Sequence, residues 1–152
     1  MPNRLNIDRL KREMGLVTWD EFYFNILSQV SSRSNSEERR QGAIIIKNNT
    51  IIAIGCFDAY EKKNSQEQKK EGEKERVIGS GAIENALATC ANNGVSTNNA
   101  TLFTYTFPND IVCKLLIKAG ISEIKYIKSV DSVLGKELCN KMNIKLTQFP
   151  RS

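Results

Sequence analysis

Residues 42–55 read GAIIIKNNTIIAIG, two apolar and largely β-branched runs on either side of Lys47-Asn48-Asn49-Thr50. Isoleucine is stiff at χ1 and packs well on a pleated surface, whereas paired asparagines suit a tight turn. The stretch therefore predicts a β-hairpin, and every fold open to this chain must contain a sheet.

The flanking segments supply helices and further strands. Thr18 to Ser32 (TWDEFYFNILSQVSS) reads as a helix, with Thr18 and Glu21 at capping-box spacing. Phe22, Ile26, Leu27 and Val30 recur at helical spacing and are expected to form its buried stripe. After the hairpin come a helix at about Ser80–Asn93, a strand ATLFTYT at Ala100–Thr106 and a helix from Pro108 to Ala119 stopped by Gly120. A strand SEIKYIK, a helix at about Ser132–Met142 and a strand NIKLTQF complete the order. Strands that alternate with helices after a hairpin predict an α/β fold of three layers, α/β/α. Its core is a mixed five-stranded sheet with helices on both faces.

Length and composition fit one domain spanning residues 1–152, with 40% hydrophobic and 26% charged residues. Residues 1–17 read as an N-terminal extension. Residues 61–76, EKKNSQEQKKEGEKER, contain no apolar side chain and are expected to be a mobile loop. No apolar run approaches the roughly 20 residues that span a bilayer, so no membrane association is expected. The N-terminus lacks an apolar core for a secretory signal, and a cytoplasmic location is expected.

Two residue counts bound the chemistry. Histidine is absent, which removes the commonest general base and metal ligand. The four cysteines, Cys56, Cys90, Cys113 and Cys139, are widely spaced with no CxxC pair, and read as buried thiols. The net charge of +5 permits a nucleic-acid or nucleotide partner without requiring one.

From about Thr18 to Gln148, the phrases TWDEFYFNI, QGAIIIKNNTIIAIG, AIENALATCANNGVS, ATLFTYTFP and KLLIKAGI occur in order. In that arrangement they resemble the deoxycytidylate (dCMP) deaminase family of the zinc-dependent cytidine deaminase superfamily. The resemblance implies the cytidine-deaminase-like fold. It also implies a metal site built from H-x-E at one helix start and P-C-x-x-C at the next, where zinc activates water and the glutamate shuttles its proton. On that pattern the histidine position is Gly81, the glutamate position Ile83, and the two cysteine positions Asn109 and Val112. Glycine, isoleucine and valine offer no donor, and asparagine is a poor zinc ligand. No metal, cofactor or catalytic residue is therefore expected.

The turn after the hairpin departs from the family pattern as well. Phe57 stands where the family has a nucleotide-contacting asparagine, and Glu38 where it has an arginine. The scaffold phrases survive while the reactive ones do not, which suggests a role in binding. A protein partner or homo-oligomer is expected, in a regulatory or assembly role. The alternative is a nucleotide, or less strongly a nucleic acid, in the vacated pocket, with Arg33, Arg39, Arg40, Glu84, Asn85, Asn109, Asp110 and Lys114 as candidate contacts. The bland account of the same residues is helix capping and solvated charge.

Overall fold

The computed structural model describes residues 15–34, 41–60, 78–129 and 133–149. The N-terminal extension up to residue 14 and the charged segment 61–76 lie outside these residues.

Helix α1 spans Trp19–Ser31, and its first turn is closed by Thr18, whose hydroxyl accepts from the Glu21 N–H at 3.2 Å. Strands β1 (Gly42–Lys47) and β2 (Thr50–Cys56) form the expected hairpin. Its turn is made by Asn48 and Asn49, both left-handed at φ 52° and 57°, a conformation asparagine tolerates better than most residues. A short antiparallel ribbon follows, β3 (Asp58–Tyr60) with β4 (Ile78–Ser80), which the periodicity did not foretell. Then come α2 (Ala82–Asn93), β5 (Thr101–Thr106), α3 (Asp110–Lys118), β6 (Glu123–Lys128), α4 (Val133–Lys141) and β7 (Lys145–Gln148). Pro108 precedes the cap of α3 instead of occupying its first turn, because Asn109 takes the capping position.

The main sheet has the order β2-β1-β5-β6-β7. β1 runs antiparallel to both neighbours, whereas β5, β6 and β7 are mutually parallel. A five-stranded mixed sheet with helices on both faces is thus the observed architecture. Ala43 and Ile45 of β1 point into the larger core, with Leu102, Ile124 and the inner residues of α2, α3 and α4. Ile44 and Ile46 point the other way, into a cluster with Phe103 and the inner residues of α1. α2 lies so close to β2 that a Cβ on Gly55 would strike the Ala82 carbonyl and come within 2.7 Å of the Ala86 nitrogen. Only glycine permits that approach.

One sequence expectation fails on α1. Phe22 is 41% exposed, and the side chains that enter the core are Tyr23, Phe24, Leu27 and Val30. The reason lies in the sheet: Phe103 receives both Tyr23 and Phe24 with ring centroids 5.2 Å away, and Phe149 closes on Phe24 at 4.6 Å. The Asp20–Lys125 ion pair at 2.8 Å and the hydrogen bond from the Tyr23 hydroxyl to Asn49 O at 3.1 Å hold the helix in that rotation. Among the described residues, no helix is long and apolar enough to cross a membrane.

Candidate functional site

The site is framed by the N-termini of α2 and α3. Gly81 caps α2 in extended conformation and has no side chain to offer its free N–H groups. The Glu84 carboxylate covers that end instead. A Cβ built on Gly81 would lie 2.7 Å from Glu84 Oε1 and closer still to Oε2. A carboxylate there is favoured by the positive end of the helix dipole. Ile83, one residue earlier, is buried at 8% exposure and belongs to the larger core with Ala82 and Ala86. Asn85 turns back to the sheet, its Nδ2 donating to Cys56 O at 2.8 Å.

α3 begins in the same manner. The Asn109 Oδ1 accepts from the Val112 N–H at 2.9 Å, so the side chain serves as the cap. Asp110 adds a second carboxylate in that first turn, and Lys114 is exposed on the outer side of the helix. Val112 packs against the core. Cys113 is fully buried, with its thiol directed at Pro108 O at 3.6 Å and hydrogen-bonded to Cys139. That hydrogen bond and burial both push the Cys113 thiol well above the ordinary range, and burial pushes Cys90 up as well.

The wall behind these helix starts is aromatic. Phe107 meets Tyr126 edge to face at 5.0 Å, and the Lys136 ammonium lies over both rings while donating to Ser129 Oγ. Phe57 is buried at 7% exposure. Its backbone is tied down by its own N–H to Gln41 O at 3.2 Å and by the Ser34 hydroxyl to its carbonyl at 3.1 Å.

These residues do not fit a zinc ion. Among the described residues no group of three His, Cys, Asp or Glu side chains is placed to hold a metal. The four positions that the resemblance assigns to ligands and proton shuttle carry a helix cap without a side chain, a core isoleucine, an amide committed to capping and a packed valine. The structure thus brings Glu84 and Asn85 to one helix start, and Asn109 and Asp110 to the other. Arg33 stands instead at the end of α1, where it lines a separate cavity of about 460 Å³ with Val30, Ile54 and Cys56. Arg39 and Arg40 lie outside the described residues. Two carboxylates at the two helix starts compensate the dipoles from within the chain and repel an incoming phosphate.

A profile of the MafB19-like deaminase family matches residues 17–149. The chain belongs to the MafB19-like deaminase family. Among curated proteins, this chain is 32% identical over 122 residues to a probable deoxycytidylate deaminase of Drosophila melanogaster, covering 72% of this chain and 59% of that protein. It is 27% identical over 122 residues to the deoxycytidylate deaminase of Saccharomyces cerevisiae, covering 74% of this chain and 38% of that one. The chain therefore spans about three fifths of the fly relative and under two fifths of the yeast one. Among solved structures, it superimposes on the dCMP deaminase of cyanophage S-TIM5 in complex with dCMP and dUMP, with a TM-score of 0.71 at 21% identity. That match covers 86% of this chain and 96% of the phage protein. The apo form gives 0.68 at 22% identity, over 85% and 95% of the two chains. The fold is that of the cytidine-deaminase-like proteins.

Sequence reasoning named Glu84 as a candidate contact without its place over Gly81, and it missed Lys136. Helical spacing turns Glu84 about 100° from the glutamate position, but its flexible stem carries the carboxylate back over Gly81. The spacing T-x-x-E of capping boxes would have been the hint, with glycine here in place of threonine. Lys136 over Phe107 and Tyr126 comes from an element far along the chain, and no local pattern signals it.

Proposed function

We propose that this chain is a catalytically inactive dCMP-deaminase-like protein that works by binding, in a regulatory or assembly role with a protein partner. The observation that carries this reading is Ile83, buried in the core at the place where the resemblance puts the proton-shuttling glutamate. A side chain without a titratable group cannot move a proton, and its burial ties the position to folding. The other three positions support the reading in the same way: each is engaged in capping or packing, and none offers a metal donor. Nucleotide capture in the old cleft is the weaker alternative. The Asn85 amide already donates to Cys56 O, Asn109 caps α3, and Phe57 is buried where an asparagine would face the nucleotide.

The test is zinc content and deamination measured on the same preparation. Elemental analysis after mild dialysis is expected to find no stoichiometric zinc, with no turnover of dCMP or dCTP. About one zinc per chain together with substrate-saturable deamination would overturn the reading.

A further inference from the structure

The thiols of Cys113 and Cys139 meet beneath the surface and take no part in the cleft. Cys113 lies in the first half of α3 and Cys139 near the end of α4, two helices that pack on one another. Each side chain is 0% exposed, and a thiol–thiol hydrogen bond joins them. Gly135, four residues before Cys139 and buried on the same side of α4, lets the two helices approach closely. Leu116, Ile124 and Ile144 belong to the same core. Among the described residues no third His, Cys, Asp or Glu completes a metal site, so the chemistry open to the pair is that of two thiols. From hydrogen-bond contact, side-chain rotation and a small closure of the helices bring the sulfurs to the bonding distance of about 2 Å.

We infer that Cys113 and Cys139 form an oxidisable pair, which a peroxide converts to a disulfide that staples α4 to α3. One thiolate attacks the peroxide, whose O–O bond breaks to leave a sulfenic acid and hydroxide. The second sulfur attacks the sulfenic sulfur, forms the S–S bond and expels the oxygen as water. Two thiols and one hydrogen peroxide thus give one disulfide and two waters, sulfur being oxidised and peroxide oxygen reduced. The route in is α4. It buries only Gly135 and Cys139, while Val133 and Leu134 at its start are exposed. A nine-residue helix with so few buried contacts opens locally well before the whole domain unfolds. That opening admits peroxide, a molecule little larger than water, together with the water a buried thiol needs in order to ionise. The disulfide suppresses the opening and fixes α3, whose Asn109 and Asp110 form one side of the cleft. It does not depend on the binding reading, because neither sulfur is exposed.

The test is hydrogen peroxide oxidation of the full chain in a Cys56→Ser background, which removes the partly exposed thiol. Alkylation, intact mass and peptide mapping without reductant follow. The product should have lost two hydrogens and should contain a peptide linked through Cys113 and Cys139. It should melt roughly 5–10 °C above the reduced form and return to it with dithiothreitol. Cys113→Ser and Cys139→Ser should each abolish both the link and the shift. Melts of the reduced variants establish that they fold, and Cys139→Ala replaces a serine variant that does not. Sulfurs that stay reduced at a peroxide concentration that fully oxidises Cys56 in the parent would overturn the pair. So would a link through Cys90, or sulfinic acid formed without any link.

Discussion

The carboxylate of Glu84 occupies the space where a side chain on Gly81 would begin. Because the obstructing atoms are the tip of a flexible side chain, Gly81→Ser should be tolerated within about 0.5 kcal/mol, since serine also caps well. Gly55→Ala is the contrast. Its Cβ would meet the backbone of α2, which cannot step aside, and a loss of about 2–3 kcal/mol is expected. Urea unfolding of the two variants beside the parent checks both values.

Ile83→Glu places a carboxylate in the core without a partner. At neutral pH this should cost about 3 kcal/mol or more. Burial raises the folded-state pKa of such a group, so the folded form prefers it protonated. The deficit should therefore shrink as pH falls toward the range in which the carboxyl takes up its proton, and grow as pH rises. Thermal melts at pH 5 and pH 8 would show the trend, and an equal deficit at both would contradict it.

Restoring all four groups, with Gly81→His, Ile83→Glu, Asn109→Cys and Val112→Cys, should create a zinc site on two existing helix starts. It should also remove the Asn109 cap, worth about 1 kcal/mol. Deamination of dCMP should stay poor or absent, because a productive pose needs positioning within about 0.5 Å and Phe57 is packed where a nucleotide contact would stand. Zinc by elemental analysis and turnover by absorbance separate the two halves of the expectation.

Of the four thiols, Cys56 alone is partly exposed, while Cys90, Cys113 and Cys139 are buried. A thiol reagent should thus label Cys56 quickly and the other three only on unfolding. Burial raises the Cys90 pKa, so the folded state keeps a proton that the unfolded chain releases. Its contribution is present below the ordinary thiol value of about 8.5 and is lost as pH climbs from there. Stability should fall through the alkaline range, and Cys90→Ala should flatten that fall.

Much of the fold could be read from local signals. The hairpin followed from its isoleucines and asparagines, α1 from Thr18 and its spacing, and the stop of α3 from Gly120. The rotation of α1 could not, because Trp19, Phe22, Tyr23 and Phe24 put aromatic rings on most of its circumference. Only Phe103, far away in sequence, decides which of them enter the core. Strands β3 and β4 are three residues each, too short for a period to show. At the cleft, the changed residue types at positions 81, 83, 109 and 112 are visible in the sequence. The return of the Glu84 carboxylate is a matter of rotamer, for which the G-x-x-E spacing at Gly81 is only a weak local hint.

β1 is buried on both faces, yet its second neighbour in the sheet is β5, which begins only at Thr101. During synthesis the hairpin is complete once Cys56 has emerged, and α1 is already there to cover Ile44 and Ile46, but the second edge of β1 must wait for its partner until β5 arrives. At roughly 5–20 residues per second this is a delay of several seconds. For that interval the nascent chain presents an uncharged apolar ribbon with an unpaired edge, the kind of surface that chaperones bind and aggregates grow from. Refolding of the intact chain faces the same long-range closure and should be slow for its size. The yield of soluble protein should therefore depend on the speed of translation and on chaperone supply more than on the stability of the finished fold.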